Sequence, residues 1–223
     1  MKRKIFINID LENKIKIEDK KVINRVKNVY KLKQGDTIIF INGSLYEGKY
    51  VFVDPKKMIF ERLEIYKRNI LPKREINLFL SFIRKDNFEF IIEKAGELGV
   101  KSITPLITER CQWKTEIVSE RWLKILYSSL EVAEWGFLPE IKNPVKLENM
   151  PGDSIILDKQ GEKIDFNSTP LKLNIAVGPE GGFSDKEIKI LKNKNCKFIS
   201  LGDVTLKTDT AVLAALALLN FPF

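Results

Sequence analysis

Histidine is missing from all 223 residues of the chain, and cysteine occurs only twice. The first absence removes histidine general bases, serine–histidine–aspartate triads and imidazole-ligated zinc sites. The second leaves too few thiolates for an iron–sulfur cluster, which usually takes four. Cys111 and Cys196 stand far apart without a partner spacing, so they read as half-buried residues of a protein kept in a reducing, cytoplasmic compartment. Long apolar runs are missing too. The longest, Ala211 to Phe221, falls short of the roughly 18 residues that suggest a membrane span and reads as a buried helix. The basic start Met1-Lys2-Arg3-Lys4 leads into no apolar segment with a cleavage site, so no signal peptide is expected. Chemistry must then rest on carboxylates, lysines, hydroxyls, backbone groups or a cofactor, with no metal expected.

Arginine is scarce among the basic residues, 8 of 38, and the formal charge of +8 is unevenly spread. Residues 1–74 hold 19 lysines and arginines against 9 acids, whereas the rest holds 19 against 21. A lysine-rich genome bias would load the whole chain, so the asymmetry points to a first domain that binds a polyanion, most simply nucleic acid. Between Lys20 and Lys33, Val22, Ile23, Val26, Val29 and Tyr30 follow helical spacing and leave Arg25, Lys27 and Lys31 outward. Arg3, Arg25, Lys27 and Lys31 are the candidate nucleic-acid contacts.

Residues 1 to about 70 read as a small β-barrel. Thr37 to Ile41 is a strand, Asn42-Gly43 a hairpin turn, Leu45 to Asp54 a strand, Pro55-Lys56-Lys57 a turn, and Met58 to Tyr66 alternates apolar with charged residues. Lys67 to Arg74 reads as a linker, and residues 71–223 as a second domain in which strands alternate with helices. Strands are expected at Ile76–Phe82, Ser102–Ile107, Ser154–Asp158, Leu173–Val177 and Lys197–Leu201. Helices are expected after Asp86 with Glu89 closing a capping box, across Glu116–Glu134, across Asp185–Lys194 behind a Ser184/Glu187 capping box, and over the C-terminal apolar run. That alternation means an α/β fold with a parallel sheet.

Two loops stand out, both leaving strands and both followed by helices. Gly178-Pro179-Glu180-Gly181-Gly182-Phe183 matches neither a P-loop nor a dinucleotide fingerprint, yet its glycines let backbone approach a ligand closely. The second runs from Leu201 through Gly202, Val204, Leu206, Lys207 and Asp209 to Thr210 and Ala211. Thr208, Asp209 and Thr210 could cap the last helix; alternatively Lys207 and Asp209 supply a cation and a carboxylate for proton removal without histidine. Strand-to-helix loops at the carboxyl edge of a parallel sheet are where α/β folds bind small molecules.

These loops resemble the C-terminal signature of the RsmE family, bacterial 16S ribosomal RNA uridine N3-methyltransferases of the SPOUT class. The resemblance extends to Lys85, Glu93-Lys94-Ala95-x-Glu97-Leu98-Gly99, Pro105, Arg110, Glu131, Pro139-Glu140-Ile141 and Val29-Tyr30-Lys31-Leu32-Lys33-x-Gly35-Asp36. It implies a small PUA-like barrel followed by a SPOUT-type parallel sheet with a C-terminal trefoil knot, and a homodimer acting on the small ribosomal subunit. It also implies that S-adenosylmethionine binds at Leu157, Val177, Gly178, Pro179, Glu180, Gly181 and Gly182, and at Leu201, Gly202, Val204, Leu206, Thr210 and Ala211. Asp209 or Glu131 is then the proton acceptor, and Lys207 or Arg110 the stabiliser of negative charge on the base. The chain departs from the family in having Lys207 for arginine, Asp209 for glutamate, and Val132-Ala133-Glu134-Trp135 for Gln-Ser-Gly-Arg. A same-fold methyltransferase acting on another nucleotide, or a non-catalytic RNA-binding relative, are the alternatives.

Overall fold

The structure is a computed structural model that describes residues 3–43, 46–67, 70–163 and 168–221. The chain divides into two compact units, one of Met1–Leu71 with Leu130–Leu138, the other of Pro72–Ser129 with Pro139–Phe223.

In the first unit β1 (Lys4–Phe6), β2 (Lys14–Lys16), β3 (Thr37–Ile41), β4 (Tyr46–Asp54) and β5 (Ile59–Lys67) form one sheet in the order β1-β3-β4-β5-β2. Only β1 and β3 run parallel. Alternate residues of β4 face inward, and Phe40, Phe52 and Phe60 pack ring on ring at 4.5–5.0 Å. The turn after β4 is set by Asp54, which accepts the N–H groups of Lys56 and Lys57. The hairpin turn expected at Asn42-Gly43 is described only as far as Gly43, whose φ is +79°; Ser44 and Leu45 lie outside the described residues. The helix expected from Lys20 to Lys33 is shorter and two-part: α1 (Lys20–Asn24), capped by Asp19, relaxes into a π turn over Arg25–Val29. Lys31 then takes φ 51° and ends it.

The second unit holds β6 (Glu75–Ser81), α2 (Lys85–Glu97), β7 (Ser102–Ile107), most of α3 (Glu120–Ala133), β8 (Glu140–Ile141), β9 (Val145–Lys146), β10 (Ile155–Lys163), β11 (Lys172–Val177), α4 (Asp185–Asn193), β12 (Lys197–Ser200) and α5 (Thr208–Asn220). Its sheet has the order β12-β10-β11-β6-β7-β8, with β9 also on β7, and every pairing is parallel. Apolar clusters on both faces bury β6, β7 and β11, which is why their sequences run apolar without alternation. Thus the expected parallel α/β sheet is present.

Two local expectations fail. Asp86 does not cap α2: Arg84 holds that position without a side-chain bond, and Asp86 lies in the first turn. Glu89, expected to close the box, takes two hydrogen bonds from Arg121 instead. Arg74, read as linker, is buried and ties β6 to the end of α5 by donating to Leu219 O and Asn220 Oδ1. The Ser184/Glu187 capping box forms as expected. Both cysteines are free, with burial pushing the Cys196 thiol upward.

Candidate active site

Sheet register sets the site. Leu157 of β10 lies opposite Val177 of β11 on one side and Ile199 of β12 on the other. Parallel strands present their carboxyl ends at one edge, so the loops after β11 and β12 leave on either side of the end of the central strand.

In the first loop Gly182 N–H donates to Pro179 O at 2.8 Å, and this tight turn puts Gly182 at φ +67°, a conformation that a side chain strains. Phe183 folds back beneath it, close enough that a Cβ on Gly178 would stand 3.1 Å from the ring. The turn is braced by the segment after β7. Arg110 donates to Gly181 O at 2.7 Å and Phe183 O at 3.3 Å, and Gln112 donates to Glu180. The buried Glu187 carboxylate accepts Glu109 N–H through one oxygen and closes the cap at Ser184 through the other, both at 2.8 Å.

The second loop begins with Ser200, whose hydroxyl donates to Gly202 O and accepts Gly202 N–H, with Gly202 at φ +146°. Lys159 donates to Thr205 at 2.7 Å, and Lys163 pairs with Asp203. Lys207 stands at the N-cap of α5 with no side-chain cap bond. Asp209 Oδ1 accepts Thr210 N–H, its nearest neighbour. Asp209, in the first turn of α5, thus satisfies one of the N–H groups at the start of that helix. Lys207 is exposed and forms no ion pair among the described residues.

The space around these loops suits an organic ligand with an apolar body and polar edges. A Cβ built on Gly182 or Gly202 would meet nothing within 4 Å, so both turns border open space. Val204 is 69% exposed and Leu206 36%, apolar side chains available for cover, while Leu157 and Val177 supply a buried floor. Apolar walls with a few backbone polar groups are the usual build of a cofactor site. Among the described residues no cluster of three His, Cys, Asp or Glu side chains could hold a metal.

Glu131 belongs to the first unit, where its two oxygens take both Arg25 Nη atoms at 2.7 Å and Phe6 N–H at 2.8 Å. That bond chiefly raises the Arg25 pKa above its ordinary value. Both side chains are thereby committed to each other. Lys27 and Lys31 are exposed. Arg3 stands 3.7 Å from Asp36 and lines a cavity of about 650 Å³ with Thr37, Glu47, Lys49 and Tyr66. Sequence reasoning missed Gln112 and Lys159, which carry no local signal, and assigned Glu187 only its cap.

The model of the RNA methyltransferase domain family matches residues 70–220. The ribosomal RNA small subunit methyltransferase E of Aquifex aeolicus is 33% identical over 190 residues, 80% of this chain and 82% of that one. Its counterpart in Rickettsia conorii is 30% identical over 228 residues, 96% of this chain and 93% of that one. The chain belongs to the ribosomal RNA small subunit methyltransferase E family. A Legionella pneumophila protein solved with bound SAM superposes with a TM-score of 0.86 at 27% identity, over 98% of this chain and 97% of that one. The family member of Neisseria gonorrhoeae shares the fold at a TM-score of 0.83 and 23% identity, over 97% and 96%.

One departure from the family pattern now has a structural account. Glu134, where the resemblance leads one to expect glycine, has a glycine-like φ of 59° just past the end of α3. Its carboxylate receives the Lys4 ammonium at 2.6 Å. Trp135, where the resemblance leads one to expect arginine, is buried at 6% exposure, with its ring 6.4 Å from that of Phe137.

Proposed function

We propose that this protein methylates N3 of a uridine in 16S ribosomal RNA of the small subunit, using S-adenosylmethionine in the cytoplasm. The observation that carries the reading is the pair of strand-end loops flanking Leu157, one with Gly182 and the other with Gly202 beside open space. The Legionella pneumophila protein solved with SAM, similar over nearly the full length of both chains, supports the cofactor. The trefoil knot, the PUA-like character of the first unit and a homodimer belong to the same reading.

Backbone groups of Gly178–Gly182 and Leu201–Leu206 would hold the cofactor, with Leu157, Val177, Val204, Leu206, Thr210 and Ala211 around its apolar parts. When bound, it supplies a sulfonium methyl, an electrophile that needs no metal. Uracil N3 carries a proton and is a weak nucleophile until that proton leaves. Asp209 accepts it, its Oδ1 already steadied by Thr210 N–H. Lys207 or Arg110, both exposed, stabilises the negative charge that spreads onto the base oxygens, and Arg110 also holds the glycine turn with one nitrogen. Held by those loops, the cofactor would supply its methyl to the deprotonated nitrogen, and positioning of the two would supply the rest of the acceleration. Glu131, bound to Arg25, is left out of this chemistry.

The test is incubation with labelled cofactor and small ribosomal subunits from a strain lacking the gene, followed by nucleoside analysis. Label in N3-methyluridine is expected. Label in another nucleoside would overturn the base assignment, and no label would overturn the reading.

A further inference from the structure

Four cations crowd the carboxyl edge of the catalytic sheet beside the glycine turn. Arg84 and Lys85 follow β6, Arg110 and Lys114 follow β7, and these strands pair directly, Ser81 opposite Leu106. Adjacent strands lie roughly 5 Å apart, so the two segments emerge side by side. All four residues are exposed apart from their anchoring contacts. None forms an ion pair among the described residues. Several nearby acids are already engaged, Glu89 by Arg121, Glu187 by its cap and Glu180 by Gln112, while Asp86 beside Lys85 and Glu116 near Lys114 are exposed. Glu109, next to Arg110, is exposed and lies in the same segment.

The patch is also held in place. Lys85 Nζ sits 5.4 Å from the centre of the Trp113 ring, a favourable cation–π placement. Trp113 donates its indole N–H to Ile83 O and packs against Phe82, Phe88 and Trp122. Its other neighbours, Arg110 and Gln112, grip the glycine turn. The segment carrying Lys114 is thereby clamped from both sides. Residues 75–223 carry slightly more acids than bases, 21 against 19, so an unpaired basic cluster there is a local feature and not spillover from a basic chain.

We infer that Arg84, Lys85 and Lys114, with Arg110, form a phosphodiester site on the catalytic unit that grips the RNA backbone beside the target nucleotide. This rests on the methyltransferase reading above. Phosphates neutralised by lysine and arginine release counterions, so each such contact steepens the salt dependence of binding by about 0.7 to 0.9 in log–log slope.

The experiment titrates a labelled hairpin transcribed from small-subunit ribosomal RNA into the full-length protein at several salt concentrations. R84Q/K85Q/K114Q is expected to flatten the slope by about 2 to 3 and to weaken binding at least about 10-fold at low salt. Calorimetry should find its S-adenosylmethionine affinity unchanged. K186Q/K189Q/K192Q on α4, with the same charge change, is expected to leave the slope near that of the parent. Equal slopes for parent and patch variant, or equal losses from patch and α4 variants, overturn the site. Should loss of the Lys85–Trp113 contact lower the melting temperature, R84Q/K114Q carries the test with an expected flattening of about 1.5 to 2. Failure of the parent to bind the cofactor would sink the functional reading, while the slopes would still decide the patch.

Discussion

Gly182 shows what single residues contribute at the candidate site. Space does not demand glycine there, since a Cβ would meet nothing; the φ of +67° does. A β-branched side chain in the left-handed region costs about 1–2 kcal/mol or more and would open the turn closed on Pro179 O. Gly182→Val is expected to lower S-adenosylmethionine affinity by at least about 10-fold on that account, and calorimetry showing normal binding would detach this loop from the cofactor. Asp209 carries a separate expectation. Asp209→Asn keeps the shape and removes the proton acceptor, so single-turnover methyl transfer should fall about 10²- to 10⁴-fold with cofactor affinity retained. An unchanged rate would place proton removal on another group.

At the scale of elements, legibility followed the range of the physics involved. β6, β7, β11 and β12 could be read because strands buried on both faces are short apolar runs, and α4 because Ser184 and Glu187 sit in a local capping pattern. β1 and β2, at three residues each, leave no periodicity to detect. Both glycine-containing loops could be picked out from residue type alone, yet their bracing by Arg110, Gln112 and Lys159 joins distant parts of the chain. For the same reason nothing local placed Leu130–Leu138 in the first unit or paired Glu131 with Arg25. Glu134 offers a test of how such an element end is held. Its left-handed backbone is strained, while its carboxylate partners Lys4, a residue only 5% exposed that also reaches Glu47. Glu134→Ala keeps the strain and loses the bond, and should destabilise by about 1–2 kcal/mol. Glu134→Gly loses the bond and relieves the strain, so it should recover about 1 kcal/mol of that loss. Urea unfolding of the two variants measures the difference; no gap between them would mean the φ carries no penalty.

For the whole molecule, two equilibria separate the catalytic reading from the polyanion reading. A ligand that binds only the folded chain stabilises it by about 2.7 kcal/mol at a concentration of 100 Kd. In a chain of this size that corresponds to a rise in melting temperature of about 5–10 °C. Saturating S-adenosylmethionine or its demethylated product is expected to produce it, and a flat melting curve would refute cofactor binding however well the fold matches. RNA should answer to a different part of the chain. Residues 1–74 carry ten more bases than acids, 19 against 9, and among the residues expected to touch RNA the structure leaves Lys27 and Lys31 exposed while Arg25 is tied to Glu131. Reversing Lys27 and Lys31 to glutamate should therefore flatten the salt dependence of RNA binding by about 1.5 to 2 or more, without moving the cofactor-induced shift. Arg25→Gln should act on the other axis: it strands Glu131, which is 13% exposed and also holds Phe6 N–H, so stability falls by about 1–3 kcal/mol. If Arg25→Gln instead flattened the salt dependence as much as the lysine reversals and left the melting temperature alone, Arg25 would be an RNA contact and its bond to Glu131 incidental.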